Sequence, residues 1–507
     1  METLRLASLW SRALAGAKAI PVAVEVHLGN GLPQFQIVGL ADTEVQESRE
    51  RVRVALQTCG FEFPQRRITV NLAPADLPKR SGHFDLPIAL GLLIASGQIP
   101  GPPAVQFEFA GELGLDGRLR PVRGTLAMAY AAEQGTRPLV VAADSAPELG
   151  LFNLGNTLLA SNLGEVVELL KGQRQLPRPT AQDAAVATAA NASRPPTTPP
   201  DLADVRGQSS ARNALVTAAA GGHALLLLGP PGCGKTMLAE RLHGLLPPMA
   251  EAEALVVAIH QSLAGQAIDP LSYRVRPLRR PHHTSTMMAL AGGGNPLRPG
   301  EISLAHCGVL LLDELPEFAR PCLEALREPI ESGEIHLARV HGSEVLPARF
   351  LLVATMNPCP CGRTLQSTPP CRCSTERIAS YRGRLSQPLL DRIDLWVSMR
   401  AVDHAHLNAP PAEATATLAP RVWRARALQQ ARQGGLNAQL ALPELLGVSA
   451  MSRSAAACWQ ALGKTHQMSA RGMHRLLAVA RTLADLEQAS SVEDAQLFQA
   501  AQWRQVF

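Results

Sequence analysis

The chain has 507 residues, of which 46% are hydrophobic, 18% charged and 4% aromatic, and its formal net charge is +5. This length exceeds one hydrophobic core and predicts about three domains, and the apolar content excludes a disordered chain. Apolar runs fall short of the roughly 18 residues of a membrane span, and the small charge only mildly favours an anionic partner.

The first residues do not form a convincing signal peptide. Glu2 precedes any basic residue, and Arg12 and Lys18 interrupt the short apolar stretch. The nine cysteines, four of them tightly clustered, are typical of an intracellular chain with reduced thiols. We therefore expect a cytoplasmic protein without a membrane partner.

Residues 1–172 alternate short β-branched runs with helical patterns, which predicts a first α/β or α+β domain. The predicted helices span Thr43–Thr58 and Asp85–Ser96. The predicted strands are Val22–Val26, Phe35–Val38, Ile68–Leu72, Phe107–Ala110 and Leu139–Val141.

Within this domain the run GELGLDGRLRPVRGTLAMAYAA, Gly111–Ala132, resembles the proteolytic domain of Lon proteases, which implies a ribosomal S5 domain 2-like fold. That family uses a serine–lysine dyad, but Phe84 and Leu126 stand at the matching positions. Neither can act as nucleophile or base, so the resemblance implies the fold without peptidase chemistry. We interpret Lys79 and Arg80 as solvated loop charges, or weakly as nucleic-acid contacts.

Residues 173–203 are rich in proline, threonine and alanine without an apolar period, which predicts a flexible linker. The second domain, 204–400, begins with a predicted helix over Ala211–Ala220. An apolar run, His223–Leu228, then predicts a buried strand that leads into GPPGCGKT and a further helix.

Strand, glycine loop and helix form the context of a phosphate-binding P-loop. The glycines let backbone N–H groups face phosphate oxygens, Lys235 would reach the β- and γ-phosphates, and Thr236 would hold Mg²⁺. The candidate ATP-binding residues are Gly229, Pro230, Pro231, Gly232, Cys233, Gly234, Lys235, Thr236 and Met237.

Two later strands supply the rest of the predicted catalytic site. Val309–Leu312 is an apolar strand that ends in Asp313, a predicted Mg²⁺ ligand, and Glu314, predicted to polarise the attacking water. The buried run Phe350–Met356 ends in Asn357, whose amide would orient water against the γ-phosphate; a strand-end turn residue is the alternative.

These motifs resemble AAA+ ATPases of the magnesium-chelatase-like group, and most closely the YifB/ComM competence family. The resemblance depends on GGHALLLLGPPGCGKTMLAERL, PHHTSTMMALAGGGNPLRPGEISLAHCGVLLLDELPEF, ATMNPCPCG, LLDRIDL and SARGMHRLLAVARTLADL. It implies a ring in which Arg392 acts as the trans finger and Arg471 as the sensor-2 arginine, with Arg475 as a rival. Surface salt bridges are the alternative for each arginine.

Two basic segments are candidate DNA contacts. Arg274–Gly300 is an arginine- and glycine-rich segment that we interpret as a candidate pore loop, and Glu334–Ser343 predicts a hairpin turning at Gly-Ser. Fold-capping or subunit contacts are an equally weighted alternative. The candidate DNA-binding residues are Arg279, Arg280, His282, His283 and Arg339.

Four cysteines follow Asn357 in a C-x-C-x9-C-x-C pattern, as an insertion at residues 359–373: Cys359, Cys361, Cys371 and Cys373. Four thiolates predict a structural Zn²⁺ site, with buried free cysteines as the alternative.

Residues 401–507 predict a connector, Ala401–Pro420, and then a helical lid over the nucleotide. Its predicted helices are Arg421–Gln433, Ser454–Leu462, Ser469–Glu487 and one capped by Ser491.

Taken with the resemblance, these features imply a homohexameric ATP-driven motor for single-stranded and branched DNA. Its implied role is branch migration during natural transformation. A chelatase-type ATPase that remodels a protein partner is the main alternative, and a non-motor DNA-binding scaffold is a third. The cofactors implied are ATP, Mg²⁺ and Zn²⁺.

Overall fold

In the computed structural model, the residues described are 5–79, 82–185, 200–294, 297–339, 342–364, 370–401 and 412–504. They form a mixed sheet domain, a parallel-sheet domain and a C-terminal helical domain. Among them, no helix is both long and apolar enough to cross a membrane.

The first domain is built on a seven-stranded sheet in the order β3-β4-β2-β1-β5-β8-β9. Its longest pair, β1 and β2, is an antiparallel hairpin in which Leu6 pairs with His27 and Ala15 with Lys18. The strands are β1 Leu6–Ala15, β2 Lys18–Gly29, β3 Gln34–Val38, β4 Arg67–Ala73, β5 Glu108–Phe109, β6 Glu112–Leu113, β7 Leu119–Arg120, β8 Leu139–Ala142 and β9 Thr157–Ala160.

Six helices are named in the described part of this domain. The central one, α3, is buried along its whole length, because all its residues but Asp85 are apolar or glycine. Asp85 is neutralised by Arg51, whose Nε lies 2.6 Å from its Oδ2. The helices are α1 Thr43–Gln46, α2 Ser48–Thr58, α3 Asp85–Ala95, α4 Thr125–Glu133, α5 Ala146–Leu149 and α6 Leu163–Leu170.

The residues at the two positions matched to the peptidase dyad lie in the apolar interior. Phe84 and Leu126 are both fully buried. Lys79 is also buried and its Nζ donates to the carbonyl of Pro74, so the prediction of a solvated charge is wrong for Lys79. Burial lowers the pKa of Lys79. Arg80 lies outside the described residues.

Part of the predicted linker packs on the first domain. Leu176 is buried in its core, and the carbonyl of Pro177 accepts a hydrogen bond from the Leu159 N–H at 2.9 Å. Residues 186–199 lie outside the described ranges, and Asp201 already caps the next domain by accepting from the N–H groups of Ala203 and Thr415.

The second domain has a five-stranded parallel sheet in the order β11-β14-β17-β10-β18. Its P-loop strand, β10, lies between β17 and β18. Its four leucines suit this interior position, since all four are buried and the strand has neighbours on both sides. The strands of this domain are β10 Leu225–Leu228, β11 Leu278–Arg279, β12 Gly292–Gly293, β13 Arg298–Pro299, β14 Val309–Leu312, β15 Glu334–Arg339, β16 Gly342–Pro347, β17 Leu351–Met356 and β18 Leu395–Ser398.

Nine helices accompany these strands in the described part of the domain. They are α7 Ser209–Gly221, α8 Lys235–Arg241, α9 Glu251–Ala264, α10 Met287–Ala291, α11 Glu301–Leu304, α12 Arg320–Ala325, α13 Arg327–Ser332, α14 Thr375–Arg382 and α15 Gln387–Leu390.

The predicted hairpin is present as β15 and β16, but its register differs from the prediction. Ala338 pairs with Ser343 and Arg339 with Gly342, so Gly342 and Ser343 belong to the second strand. The turn residues, 340 and 341, lie outside the described ranges.

The third domain is helical, with α16 Thr415–Gln433, α17 Leu442–Ser449, α18 Arg453–Thr465, α19 Ala470–Leu486 and α20 Asp494–Gln502. Its first helix begins at Thr415, inside the predicted connector. Thr415 Oγ1 accepts a hydrogen bond from the Leu202 N–H, which ties this end of the helix to the ATPase domain. Residues 402–411 of that connector lie outside the described ranges. The last helix is capped at Glu493 rather than at Ser491.

This domain contacts the ATPase core at two places: Trp423 of α16 donates to the carbonyl of Leu245, beyond the P-loop helix, and the last helices contact the strands. Thr482 of α19 bonds His223 at 2.7 Å, and the Trp396 N–H donates to the carbonyl of Trp503 at 2.6 Å. His223 lies two residues before β10, whereas the P-loop directly follows this strand. The last helices therefore pack at the amino ends of the strands, opposite the P-loop.

Candidate nucleotide-binding site

The P-loop connects the buried strand β10 to helix α8. Gly232 and Gly234 have φ of +77° and +88°, a backbone conformation in which side chains are strained. Lys235 folds back over the loop, where its Nζ donates to the carbonyls of Gly229 and Pro230 at 2.8 and 2.9 Å. Burial lowers the pKa of Lys235, against the opposing effect of nearby acidic groups. The Lys235 ammonium group is thus held against backbone carbonyls of the P-loop.

Asp313 meets the P-loop because β14, β17 and β10 are parallel and end at one edge of the sheet. Thr236 Oγ1 donates to Asp313 Oδ1 at 3.0 Å, and Thr355 Oγ1 donates to the same oxygen at 2.6 Å. Burial alone would raise the pKa of Asp313, but these hydrogen bonds and Arg280 hold it below its ordinary value. A hydroxyl and an ionised carboxylate are the hard oxygen ligands that Mg²⁺ prefers.

Glu314 stands next to this pair in a left-handed backbone conformation, with φ of +56°. Its N–H donates to Thr355 Oγ1 at 3.1 Å, which fixes the turn, and its side chain is 52% exposed. Non-glycine residues in this conformation are concentrated at functional sites. The Glu314 carboxylate is therefore accessible to solvent at the end of β14, as a water-polarising base requires.

Asn357 joins the site from the end of β17. Its Oδ1 accepts from Lys235 Nζ at 3.0 Å, across 122 residues of sequence. The remaining P-loop residues follow the strand and helix geometry: Cys233 is buried, and Met237 is 40% exposed on α8. Lys235, Thr236, Asp313 and Asn357 therefore form one contiguous polar site.

Sequence reasoning missed one participant, Thr355. It bonds both Asp313 Oδ1 and the Glu314 N–H, and so holds the two acids in register. The available signal was a lone hydroxyl residue in the otherwise apolar strand Leu351–Met356.

The structure places two DNA-binding candidates at the nucleotide site. Arg280 lies 2.6 Å from Glu240 and 2.8 Å from Asp313, and His283 Nδ1 lies 3.8 Å from Glu314. Arg279 belongs to strand β11 and forms two hydrogen bonds with Glu301. These contacts favour the fold-capping alternative over a pore loop for this part of the segment.

The other two DNA-binding candidates are His282 and Arg339, and His282 forms no ion pair among those found in the described residues. His282 Nδ1 bonds Thr284 Oγ1 at 2.8 Å, and its ring lies tilted by 33° against that of His283, with centroids 4.1 Å apart. Arg339 ends strand β15 beside the hairpin turn.

Arg392 and Arg471 come together on a shared partner, Glu331. Arg392 Nη2 lies 2.7 Å from Glu331 Oε2, and Arg471 Nη2 contacts Oε1 of the same carboxylate. No ion pair or hydrogen bond among the described residues links either arginine to the P-loop of its own chain. An open cleft of about 450 Å³ adjoins them, lined by Glu324, Arg327, Glu328, Glu331, Ser332 and Arg392.

The rival sensor-2 residue, Arg475, has a different environment. Its Nε lies 3.2 Å from Asp394 Oδ1, and the Asp394 side chain is only 2% exposed. Burial would raise the pKa of Asp394, but Arg475 and His223 hold it below its ordinary value. Arg475 therefore neutralises a buried acid, while Arg471 remains half-exposed beside Arg392.

The four clustered cysteines converge after Asn357. Their Sγ atoms all lie within 4.8 Å of one another, and none of the described cysteines forms a disulfide. This is the donor set of a closed tetrahedral metal site.

Comparisons with known proteins agree with this arrangement. Residues 201–407 match the family described as magnesium chelatase, subunit ChlI, 24–145 match subunit ChlI of Mg-chelatase, and 412–504 match its C-terminal part. The chain is 44% identical to Escherichia coli YifB over 506 residues, 99% of this chain and 98% of the relative.

It is also 44% identical to Haemophilus influenzae competence protein ComM over 504 residues, with the same coverage. The chain belongs to the YifB/ComM family of magnesium-chelatase-like proteins. A Mycobacterium tuberculosis relative is 42% identical over 492 residues. Membership of the YifB/ComM family makes the chain an AAA+ ATPase, for which ATP and Mg²⁺ are fitting cofactors.

Proposed function

We propose that this chain is an ATP-driven DNA motor that promotes branch migration as incoming DNA is integrated during natural transformation. The observation that carries the proposal is the assembled site of Lys235, Thr236, Asp313 and Asn357, together with full-length similarity to a competence protein. The cytoplasm is the proposed compartment.

The proposed catalytic roles follow from position. Lys235 neutralises β- and γ-phosphate charge, and Thr236 and Asp313 hold Mg²⁺, which supplies charge neutralisation to the phosphates. Glu314 accepts a proton from the attacking water, because its carboxylate is exposed at the sheet edge. We assign Asn357 the role of orienting that water against the γ-phosphate, because its amide lies beside Lys235.

A homohexameric ring is part of the proposal. Arg392 and Arg471 lie together on the Glu331 cleft rather than at their own P-loop, which supports a role for both in the site of the neighbouring subunit. Arginine suits this role because its planar fork stays charged and can contact phosphate through two N–H groups.

We place the DNA contact on the β15–β16 hairpin. Arg339 lies at its tip, at the end of β15, whereas Arg279 and Arg280 are engaged by carboxylates. Hairpins between core strands can project from a ring without disturbing the ATP site. Single-stranded and branched DNA are the proposed ligands.

The domain boundaries proposed are 1–172, a linker at 173–203, the ATPase core at 204–400 with its cysteine insertion at 359–373, and the helical domain at 401–507. The first domain keeps a Lon-protease-like fold without the dyad, since Phe84 is buried in its core and Leu126 is buried at its interface with the ATPase core. The four cysteines bind a structural zinc ion.

The second candidate is a chelatase-type ATPase that remodels a protein partner. It is favoured by the match of three separate segments to magnesium-chelatase descriptions. Its ATP site would be the same, so only the activating partner separates the two functions.

The deciding experiment measures ATP hydrolysis with and without single-stranded and four-way-junction DNA, together with strand exchange on the junction. We expect DNA to stimulate ATP hydrolysis, and we expect branch migration to separate the four-way junction into two duplexes. Lys235→Ala should lower hydrolysis by roughly 100-fold or more, while the matched surface change Lys171→Ala leaves it unchanged. Stimulation by a protein partner and by no DNA would favour the second candidate.

A further inference from the structure

The sulfur positions fit one zinc ion closely. Sγ–Sγ distances are 3.4 Å for Cys359–Cys361, 3.5 Å for Cys361–Cys371 and 3.7 Å for Cys359–Cys371. Four thiolates bound tetrahedrally at ~2.3 Å would lie about 3.8 Å apart. Cys373 completes the set within the 4.8 Å limit that encloses all four sulfur atoms. Little movement would be needed to bind the metal.

Hydrogen bonds to sulfur support the same geometry. The Cys373 N–H and Thr364 Oγ1 both donate to Cys371 Sγ, each at 3.4 Å. Donors of this kind orient thiolate ligands and stabilise their charge. Soft thiolates select zinc over magnesium or calcium, and four of them leave no open position for catalysis.

The cluster is built against the ATP site. Asn357, which bonds Lys235, lies two residues before Cys359. Gly362, inside the first C-x-C-G turn, has φ of +75°, and a Cβ there would lie 2.3 Å from Pro231 Cδ. The turn between the metal ligands therefore rests directly on the P-loop.

The far end of the insertion also returns to this point. After Cys373 the chain forms α14, and Arg382 at the end of α14 donates to the carbonyl of Pro358 at 3.4 Å. Tyr381, next to it, is buried in the core of the ATPase domain. The insertion is thus fixed at two points: Arg382 bonds Pro358 where the insertion begins, and Gly362 packs on Pro231 of the P-loop.

We propose that Cys359, Cys361, Cys371 and Cys373 bind one zinc ion and that this zinc clip positions Asn357 and the P-loop for ATP turnover. The coupling rests on the proposed ATPase function, whereas the metal site does not. The clip residues do not touch the reacting atoms; they act through Asn357 and Pro231.

Metal content tests the site itself. The purified full chain should contain one zinc per chain, and cobalt exchanged into it should show the absorption of a tetrahedral tetrathiolate. Cys371→Ser/Cys373→Ser should lose both, while Cys458→Ser, a half-buried cysteine of the helical domain, should keep both. A wild-type chain without stoichiometric zinc, or without the cobalt spectrum, would overturn the proposal.

Gly362→Ala separates metal binding from coupling, because it keeps every ligand but pushes the turn off Pro231. We expect zinc content to be retained and DNA-independent ATP hydrolysis to fall about tenfold, the scale of outer-shell changes at metal sites. Gly155→Ala, where an added Cβ meets nothing within 4 Å, should change neither. Full turnover in zinc-loaded Gly362→Ala would refute the coupling.

Failure of the two proposals can be distinguished. A wild-type chain that holds zinc but neither binds a fluorescent ATP analogue nor hydrolyses ATP would remove the proposed function and the coupling, and leave the metal site. A chain that hydrolyses ATP with DNA stimulation but holds no zinc would remove only the clip.

Discussion

Within a single chain, Glu331 is the carboxylate that pairs with both arginines proposed to act in trans, Arg392 and Arg471. The Arg392 side chain is only 9% exposed, and its Nη2 donates to Glu331 at 2.7 Å. A buried guanidinium without a carboxylate would lose its main compensation for desolvation. A phosphate from a neighbouring subunit offers the same two-oxygen geometry, so Glu331 occupies the place that we assign to nucleotide in the ring.

We therefore expect Glu331→Ala to lower the free energy of unfolding by about 1–3 kcal/mol, because Arg392 loses its carboxylate and, among the described residues, keeps only its hydrogen bond to the Pro388 carbonyl. Glu328→Ala is the matched control on the same helix, since Glu328 is 52% exposed, and it should change stability by less than about 0.5 kcal/mol. Urea denaturation of both variants measures the difference. Equal midpoints would show that the Arg392–Glu331 pair contributes nothing.

Glu148 is a second residue whose environment has a measurable consequence. It lies near the contact between the first domain and helix α9, where burial raises its pKa from 4.5 to about 7, against the effect of a hydrogen bond from Ser262. Below about pH 4.5 the carboxyl is protonated in folded and unfolded chains alike, so its burial carries no charge penalty. As the pH rises through 7, the folded chain must bury a charge.

Stability of the wild-type chain should therefore fall between about pH 5 and pH 8 by on the order of 2 kcal/mol more than that of Glu148→Gln. The neutral amide keeps the shape of the side chain and has no proton to lose. Glu62→Gln, an exposed position in the same domain, should follow the wild-type profile. Parallel pH profiles for wild type and Glu148→Gln, measured by urea denaturation, would contradict this account.

At the scale of elements, local sequence patterns predicted those segments whose structure depends mainly on neighbouring residues in the sequence. The P-loop, with its strand and helix, and the strand that ends in Asp313 follow from apolar runs bounded by glycine or acids. The core helix α3 ends within one residue of its predicted boundary. The strands β10 and β14 and the helix α3 are buried on all sides, so an uninterrupted apolar run is enough to predict them.

Strand β1 shows why other elements were missed. Its interior contains Arg12, which a local pattern treats as a break in an apolar run. In the fold Arg12 is buried against Glu108, 2.5 Å away and 96 residues later in the sequence. Strand β11 was missed for a related reason, since Arg279 is neutralised by Glu301. Long-range charge pairing of this kind leaves no signal in a short window.

The placement of the helical domain was also beyond local prediction. Its helices were largely anticipated, but their docking depends on buried polar contacts between distant residues, such as His223–Thr482 and Asp394–Arg475. Amphipathic periodicity specifies that a helix has a buried face and not what covers it. The shared contact of Arg392 and Arg471 with Glu331 was unpredictable for the same reason.

The two arginines at the start of α19 should accordingly respond differently to mutation. Arg475→Ala removes the guanidinium beside the buried acid Asp394, which retains His223 and the Ala224 N–H, and we expect a loss of about 3 kcal/mol in unfolding free energy. Arg471→Ala removes a half-exposed side chain and should cost less than about 0.5 kcal/mol, yet lower ATP hydrolysis roughly tenfold or more. Denaturation and hydrolysis measured on both variants test this, and reversed effects would assign sensor-2 to Arg475.

At the scale of the whole molecule, the first domain and the ATPase core share an apolar interface. Helix α4 packs on α9, with buried residues such as Leu126 and Met128 on one side and Val257 and Leu263 on the other. The turn between β1 and β2 also approaches the base of the β15–β16 hairpin, since a Cβ on Gly16 would lie 3.6 Å from Leu346. These contacts join the first domain to the ATPase core at two separate places.

The ring itself can be tested by mixing two inactive variants. Lys235→Ala destroys a subunit's own site but leaves its Arg392 intact, whereas Arg392→Ala keeps the P-loop and lacks the arginine. If Arg392 completes the neighbouring site, a mixed ring contains sites with a Lys235 from one subunit and an Arg392 from the next.

An equal mixture should then recover about a quarter of wild-type hydrolysis, because half the subunits keep the lysine and half of their neighbours keep the arginine. Each variant alone should hydrolyse ATP at least roughly 100-fold more slowly than wild type. Lys235→Ala mixed with Asp313→Ala is the matched control: both changes fall in the same half of the site, so no complete site forms. Co-purification of differently tagged subunits establishes that mixed rings are present. Mixed rings without recovered hydrolysis would mean that Arg392 acts within its own chain, as its ion pair with Glu331 alone would suggest.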